Sequence, residues 1–487
     1  MTEYAVSERI NDDSSLSGWA FRQLINGKLV PGTAEIPVID PATEEVIAQA
    51  PVADSDQLDQ AVRAAKVAFQ SWKNRPLDER RAIIREIADR IESRRGEIAR
   101  IITLEVGKPI AAARADVDLA LHWAREVVEV ALLPEILQDD DQAYVEVRRR
   151  PIGVVAAIIP WNFPFFQMVY KIVPALLTGN TVVVKPSPTT PLNAMILAEI
   201  LKDVVPSGVV NIIGDAGDIG PLLTTHPNVG KVSFTGSTAA GRKVMASSAP
   251  TLKRLTLELG GNDAAVILDD ADIVKTARQV FAWAFMNSGQ VCINIKRIYV
   301  PDSLYDPFCD EFARLARSAV VGPGLNETSE FGPIQNERQY KSVLHYLELA
   351  HRDGTVIAGG APLTGQGYFV PPTVVRDIDE SSVLVSEETF GPIRSVMRYS
   401  SIDEVVQRVN NTQYGLGNSV WGKDLERAAA VAARLESGTV WVNAHFALAP
   451  NVPFAGSKQS GLGAEFGMEG VHEFTDCHVI HISRAQL

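Results

Sequence analysis

At 487 residues, with 46% hydrophobic and 22% charged side chains, the chain is long enough for two or three cores and ordinary for a globular protein. A formal charge of −13 argues against nucleic acid as a partner, because phosphate contacts need a basic face. Three scattered cysteines, Cys292, Cys309 and Cys477, are too few for a disulfide framework and point to a reducing compartment, read here as the cytoplasm.

Residues 1–18 are polar and acidic, without an apolar or arginine-rich leader pattern, and read as a loose tail. From Ser55, apolar residues recur at helical spacing through Leu58, Val62, Ala65, Phe69 and Trp72, which predicts a helix with Ser55 as N-cap. A second helix carries Ile83, Ile84, Ile87 and Ile91 on one stripe. A third stops at Gly107-Lys108-Pro109, and a fourth runs over 110–133. Asp139-Asp140-Asp141 reads as an acidic loop, and 144–150 as an edge or contact strand. The longest apolar run, 154–159, ends at Pro160 and is far too short for a bilayer, so no membrane partner is expected.

From Pro151 the texture changes. Short β-branched runs at 154–159, 181–184, 209–213, 231–234 and 254–257 alternate with helix-length segments at 165–177, 191–204, 218–224 and 238–247. That pattern predicts an α/β fold with a parallel sheet covered on both faces. Such sheets bind ligands at the carboxyl ends of their strands. A second alternating unit follows Gly260: a strand at 264–268, a helix capped by Asp272, a strand at 296–300, helices at 304–319 and 337–353, and a late strand at 439–442. The strand at 477–483 and the one at 144–150 have no obvious neighbours, so they are expected to pair with each other or with another subunit.

Between Glu258 and Cys292 lie a carboxylate and a thiol, each beside a small-residue turn. Cys292 follows Ser288-Gly289-Gln290 with no metal-type Cys/His spacing around it, and a thiol attacks carbonyls well. Alone, such a cysteine is more often a small core residue, which is the reading for Cys309. Glu258 ends an apolar strand before Gly260-Gly261. A carboxylate there is costly unless it is paired or activates water, and a structural ion pair is its bland alternative. Asn162, between Trp161 and Phe163 in a proline-bounded loop, suits an oxyanion donor or a common Asx turn. Gly236-Ser237 opening a helix after a strand suits phosphate, although an ordinary turn explains that spacing on its own. Lys185 at a strand end suits ribose or phosphate as readily as solvent. Gly461-Leu462-Gly463 through Gly467 has the wrong spacing for a dinucleotide fingerprint and reads as a loop. Cys477-His478 with His481 is read as structural, because strand alternation puts the two histidines on opposite faces; no metal is expected.

Together these segments resemble the aldehyde dehydrogenase superfamily, over about residues 25–485. The resemblance rests on Pro160-Trp-Asn-Phe-Pro164, Lys185-Pro-Ser187, Phe234-Thr-Gly-Ser237, Leu257-Glu-Leu-Gly-Gly261, Gly289-Gln-Val-Cys292, Glu387-Glu-Thr-Phe-Gly-Pro392, Pro453-Phe-Ala-Gly456 and Lys458-Gln-Ser-Gly461. It implies a Rossmann-like dinucleotide domain (19–134 and 151–259), an α/β catalytic domain (260–460) and a β oligomerisation element (135–150 and 461–487), assembling as a homodimer or homotetramer.

The resemblance also implies roles. Cys292 would attack the aldehyde, Asn162 and the Cys292 N–H would hold the oxyanion, Glu258 would activate water, and Lys171 would serve proton movement near that base. NAD or NADP would lie along Ile158, Pro160, Trp161, Lys185, Ser187, Pro188, Gly217, Phe234, Thr235, Gly236, Ser237, Gly241, Leu259, Gly260, Glu388 and Phe390. Where NAD-preferring members carry a ribose-binding Glu, this chain has Pro188, which leaves both cofactors open. Ala455 replaces a usual glycine. A substrate tunnel of Phe163, Phe166, Gln167, Tyr170, Met286, Val291, Ile293, Phe446, Leu448 and Phe454 holds no Lys or Arg, which favours an uncharged aliphatic or aromatic aldehyde. The competing readings are a semialdehyde dehydrogenase acting on a carboxylated substrate, including the CoA-acylating branch that tends to lack the Glu258-type base, and a retired, non-catalytic relative.

Overall fold

The computed structural model describes residue 16 and residues 18–484. The expected loose tail therefore lies mostly outside the described residues, but Leu16 is buried and its N–H donates to the Ile47 carbonyl at 3.3 Å.

The alternating region forms two parallel sheets. In the first, the order is Arg254–Glu258, Val229–Thr235, Val154–Ile158, Thr181–Lys185, Val210–Ile212. Taken in chain order that is 5-4-1-2-3, so the strand order reverses between Val154–Ile158 and Val229–Thr235, where doubly wound sheets open a ligand crevice. Thr181–Lys185 is buried along its whole length, as a strand covered on both faces must be. Each buried valine there contributes about 1.5–3 kcal/mol of apolar burial. Short antiparallel strands at Gln23–Ile25 and Lys28–Val30 extend one edge. Gly461–Leu462, read from the sequence as loop, closes the other edge, with Gly461 opposite Glu258. The period-two signal needs more than two residues, so this strand was invisible to it.

The second sheet runs Thr373–Arg376, Ile393–Tyr399, Ile295–Pro301, Asp263–Ile267, Gly417–Trp421 and Thr439–Val442, all parallel, with Thr355–Ala358 antiparallel at the edge. Glu258 is the last residue of its strand in the first sheet, while Cys292 just precedes Ile295–Pro301 in the second. The carboxyl edge of one sheet thus meets the amino edge of the other.

Two helix boundaries differ from the sequence reading. The helix Ser55–Trp72 buries Leu58, Val62, Ala65, Phe69 and Trp72 as expected, but Asp54 caps it, accepting the Gln57 N–H at 2.9 Å. A carboxylate one position earlier both caps and meets the helix dipole. The helix expected over 110–133 ends at Val127. Arg81 collects the carbonyls of Val128 and Val130 at 2.9 and 3.0 Å, and the chain enters a strand, Glu135–Asp139, that the sequence reading lacked.

The strands Ala143–Pro151 and Thr475–Ser483 do pair with each other, antiparallel from Thr475↔Pro151 to Ser483↔Ala143, and Glu135–Asp139 joins them as a third strand. His478 is half-buried and His481 exposed. Among the described residues no cluster of three His, Cys, Asp or Glu could hold a metal ion, and no helix is long and apolar enough to cross a membrane.

Candidate active site

The turn before Cys292 is built from left-handed residues. The helix Ile273–Phe285, capped by Asp272, gives way to Asn287, Ser288 and Gly289 with φ of 52°, 55° and 75°. Side chains rarely adopt this conformation, so the surroundings must enforce it. Ser288 Oγ donates to the Gly332 carbonyl at 2.7 Å, and Gln290 Oε1 accepts the Gln335 N–H at 2.9 Å. Gly289 is obligatory, since a Cβ there would lie 2.1 Å from the Gly391 carbonyl oxygen. The Val291 N–H then donates to Asn294 Oδ1 at 2.8 Å, which closes the turn around Cys292.

Cys292 is half-buried. Burial pushes its thiol up to about 12; the Lys296 ammonium pulls it back, while Glu388, Glu258 and Asp263 push it further. The resting thiol is therefore protonated at neutral pH and needs a base or added positive charge to react. Cys309, by contrast, is a core residue of the helix Tyr305–Ser318.

Glu258 is 5% exposed, and neither carboxylate oxygen has a hydrogen-bond partner in the structure. Burial raises its pKa well above the usual carboxylate range; Glu465 raises it further and Lys171 opposes both. The structural ion-pair reading of Glu258 thus fails. Lys171 is buried nearby and donates to Glu465 Oε1 at 2.6 Å and to Ser233 Oγ at 2.9 Å. Glu465 was missed in the sequence. It lies just beyond the two-residue strand read as loop; the pairing of that strand with Arg254–Glu258 and an antiparallel bridge between Glu465 and Phe454 bring it here.

Asn162 is no Asx turn. Its Nδ2 donates to the Gln290 carbonyl at 3.0 Å, and its own carbonyl accepts from Asn287 Nδ2 at 3.3 Å. The proline-bounded loop is thereby pinned to the nucleophile turn.

Two chambers meet at this point, sharing Asn162, Gln167, Thr235 and Cys292 in their walls. One holds Pro160, Trp161, Gly236, Ser237, Leu259, Gly260, Glu388 and Phe390 of the expected cofactor residues. Gln339, Ser342, Tyr346 and Thr389 also line it; the first three lie on the helix Glu337–Asp353, whose surface carried no motif. This chamber suits a dinucleotide. Ser237 caps the helix Thr238–Ser248, whose amino end favours phosphate. The buried Thr389 Oγ1 borders the space with no hydrogen-bond partner in the structure. A Cβ on Gly260 would lie 2.2 Å from Glu388 Oε2, so any side chain there would displace the Glu388 carboxylate.

The remaining expected cofactor residues lie outside this lining. Ile158 and Phe234 are buried strand ends, and the Phe234 ring supports Gly236 from below. Gly241 packs on Leu259. Lys185 Nζ donates to Asp215 Oδ2 at 2.5 Å and to the Pro186 carbonyl at 3.2 Å. Ser187 is buried with its hydroxyl 3.2 Å from that of Thr189, Pro188 is half-buried, and Gly217 sits at φ 111° beside Asp215.

The second chamber is aromatic. Phe163, Phe166, Gln167, Tyr170, Val291, Ile293, Phe446, Leu448 and Phe454 line it with Glu258 and Phe466. Phe466 was missed in the same stretch as Glu465. Met286 is not in this lining; it ends the preceding helix half-buried, and its carbonyl accepts from Asn294 Nδ2.

Residues 30–480 match the aldehyde dehydrogenase family. The chain is 39% identical to a mitochondrial aldehyde dehydrogenase of Leishmania tarentolae, over 94% of each chain. It is 36% identical to a cytosolic aldehyde dehydrogenase of Rattus norvegicus, over 95% of this chain and 93% of that one. Among solved structures, an NAD+ complex of an aldehyde dehydrogenase from Bacillus cereus aligns with a TM-score of 0.93 at 35% identity, covering 95% and 96% of the two chains. A betaine aldehyde dehydrogenase from Staphylococcus aureus with NAD+ aligns equally well, at 32% identity and 97% of each chain. The chain belongs to the aldehyde dehydrogenase family. It is an NAD(P)-dependent enzyme that oxidises an aldehyde.

Proposed function

We propose that the chain converts an uncharged aliphatic or aromatic aldehyde to its carboxylic acid through a thioester on Cys292. The observation that carries this reading is the thiol at the junction of a chamber lined by expected cofactor residues and an aromatic one, with Asn162 and the unpartnered Glu258 carboxylate in the same walls.

Cys292 Sγ attacks the aldehyde carbon as its proton passes to a base, and Asn162 Nδ2 with the Cys292 N–H holds the resulting oxyanion. Bound NAD(P)+ supplies the hydride acceptor. Loss of hydride from carbon leaves the acyl group as a thioester. Glu258 then takes a proton from water, the hydroxide displaces the thiolate, and the acid leaves. Lys171 and Glu465 hold the charge balance behind Glu258. A retained thiol, amide and base argue against a retired enzyme, and Glu258 argues against transfer to CoA.

No lysine or arginine lines the aromatic chamber to pair with a substrate carboxylate, which disfavours a carboxylated semialdehyde. The three-stranded sheet leaves Ile136, Leu137, Val479 and Ile482 more than half exposed, which supports a homo-oligomer formed through that sheet. Free cysteines support a reducing compartment such as the cytoplasm. A panel of neutral and carboxylated aldehydes, each with NAD and with NADP, tests the activity by reduced-nicotinamide absorbance. Neutral aldehydes should win, and Cys292→Ala should abolish all turnover; activity in that variant would sink the mechanism.

A further inference from the structure

Lys296 stands directly behind the nucleophile, on the strand Ile295–Pro301, with its side chain only 2% exposed. Its Nζ donates to the carbonyls of Val291 at 3.1 Å, Cys292 at 2.5 Å and Asn294 at 3.3 Å. An ammonium has three protons to give, and here three carbonyl acceptors of the single turn that presents the thiol lie within its reach. On its other side Nζ lies 3.6 Å from Glu388 Oε1. Glu388 in turn accepts the Gly261 N–H at 3.2 Å and lines the cofactor chamber. One buried cation therefore joins the nucleophile turn to the cofactor wall.

The charges around this cation are unbalanced in an informative way. Asp263 faces it from the neighbouring strand, with Asp263 in register with Ile295. Burial lowers the Lys296 pKa; Glu388 and Asp263 raise it, Arg394 lowers it and Cys292 raises it. Lys296 in turn acts on His445, which donates from Nε2 to the Ile293 carbonyl at 2.6 Å. Burial leaves His445 neutral, its pKa lowered to about 3. At the thiol, Glu388, Glu258 and Asp263 all oppose ionisation, and Lys296 is the cation that favours it. A methionine would fill the same space without desolvating a charge, so packing alone does not call for lysine.

We propose that Lys296 is a positioning residue for the nucleophile: it holds the carbonyls of the Val291–Asn294 turn and supplies the positive charge that makes the Cys292 thiol ionisable, with Glu388 as its counter-charge. This rests on the reading of Cys292 as nucleophile. It predicts opposite effects from two substitutions. Lys296→Met leaves the thiol among carboxylates alone. Glu388→Gln removes one of those carboxylates and leaves Lys296 in place.

The test is the alkylation of Cys292 by iodoacetamide in the full-length protein without aldehyde, followed by mass spectrometry of the Cys292 peptide across neutral to alkaline pH. Lys296→Met should slow alkylation at neutral pH by about tenfold or more, with the midpoint moved up, since one pKa unit is tenfold in thiolate. Glu388→Gln should speed it and move the midpoint down. Profiles that superimpose on the wild type for Lys296→Met, with its fold intact by circular dichroism, would overturn the proposal. Should Lys296→Met not fold, Glu388→Gln decides alone: faster alkylation supports the proposal, and unchanged or slower alkylation overturns it. The parent mechanism fails separately, if Cys292→Ala still oxidises aldehydes.

Discussion

Lys171 donates to Glu465 at 2.6 Å, and both side chains are shut off from solvent behind Glu258. Glu465 raises the Glu258 pKa and Lys171 lowers it. Water activation needs the deprotonated form, so turnover limited by deacylation should climb with pH above the ordinary carboxylate range. Lys171→Met should move that climb to higher pH, and Glu465→Gln should move it lower. Breaking a buried pair from one side also costs about 3–5 kcal/mol, so both variants should lose thermal stability. Turnover measured against pH checks the opposite shifts; coincident profiles would contradict them.

Asp263 makes a separate, global prediction. Burial first, and Glu388 after it, hold its pKa up near about 8 against an ordinary 3.8, despite Lys296 and Arg297. A raised carboxyl pKa means the folded state holds a proton that the unfolded state has released. Stability contributed by this group is therefore present at low pH and lost as pH rises from about 4 to about 8. Asp263→Asn should flatten that part of the stability profile. Urea midpoints across this range, in both proteins, measure it.

Asn162 is held by the turn it serves, donating to the Gln290 carbonyl in the resting state. Asn162→Ala should lower kcat by about 10²–10³, the usual loss of one oxyanion donor. Iodoacetamide should still alkylate Cys292 in this variant, because the thiol itself is untouched. Loss of both would mean that Asn162 shapes the turn rather than the oxyanion.

Lys185 is committed to Asp215 at 2.5 Å. Burial pushes the Asp215 pKa up, but Lys185 and the backbone N–H groups of Gly217 and Ile219 outweigh it, so the carboxyl lies below its usual range. If Lys185 meets the adenine ribose, as the resemblance implies, a charged Asp215 beside it would oppose a cofactor 2′-phosphate, the role of the glutamate that Pro188 replaces. Asp215→Asn should raise the ratio of kcat/KM for NADP over NAD. An unchanged ratio would remove Asp215 from cofactor choice.

The contrast between what the sequence disclosed and what it concealed is physical. Cys292, Glu258 and Asn162 each stand beside a glycine or proline that a turn demands, and local chemistry marks such places. The strands at 154–159 and 181–184 were legible because burial on both faces leaves continuous apolar runs. Glu465 and Phe466 were not, because their approach to Glu258 depends on a two-residue pairing and a single bridge to Phe454, both far along the chain. Lys296 was equally silent: a lysine in a strand reads as solvated until its three carbonyl partners are seen. Helix ends failed where a partner outside the helix decided them, as Arg81 does beyond Val127.

The central claim is that Glu258 serves hydrolysis of a Cys292 thioester, after hydride has left. Rapid-mixing kinetics on Glu258→Gln with a neutral aldehyde and NAD test it most directly. The account predicts a fast burst of reduced nicotinamide, stoichiometric with active sites, followed by turnover far slower than wild type. Absence of a burst, with the first turnover slowed as much as the later ones, would contradict it.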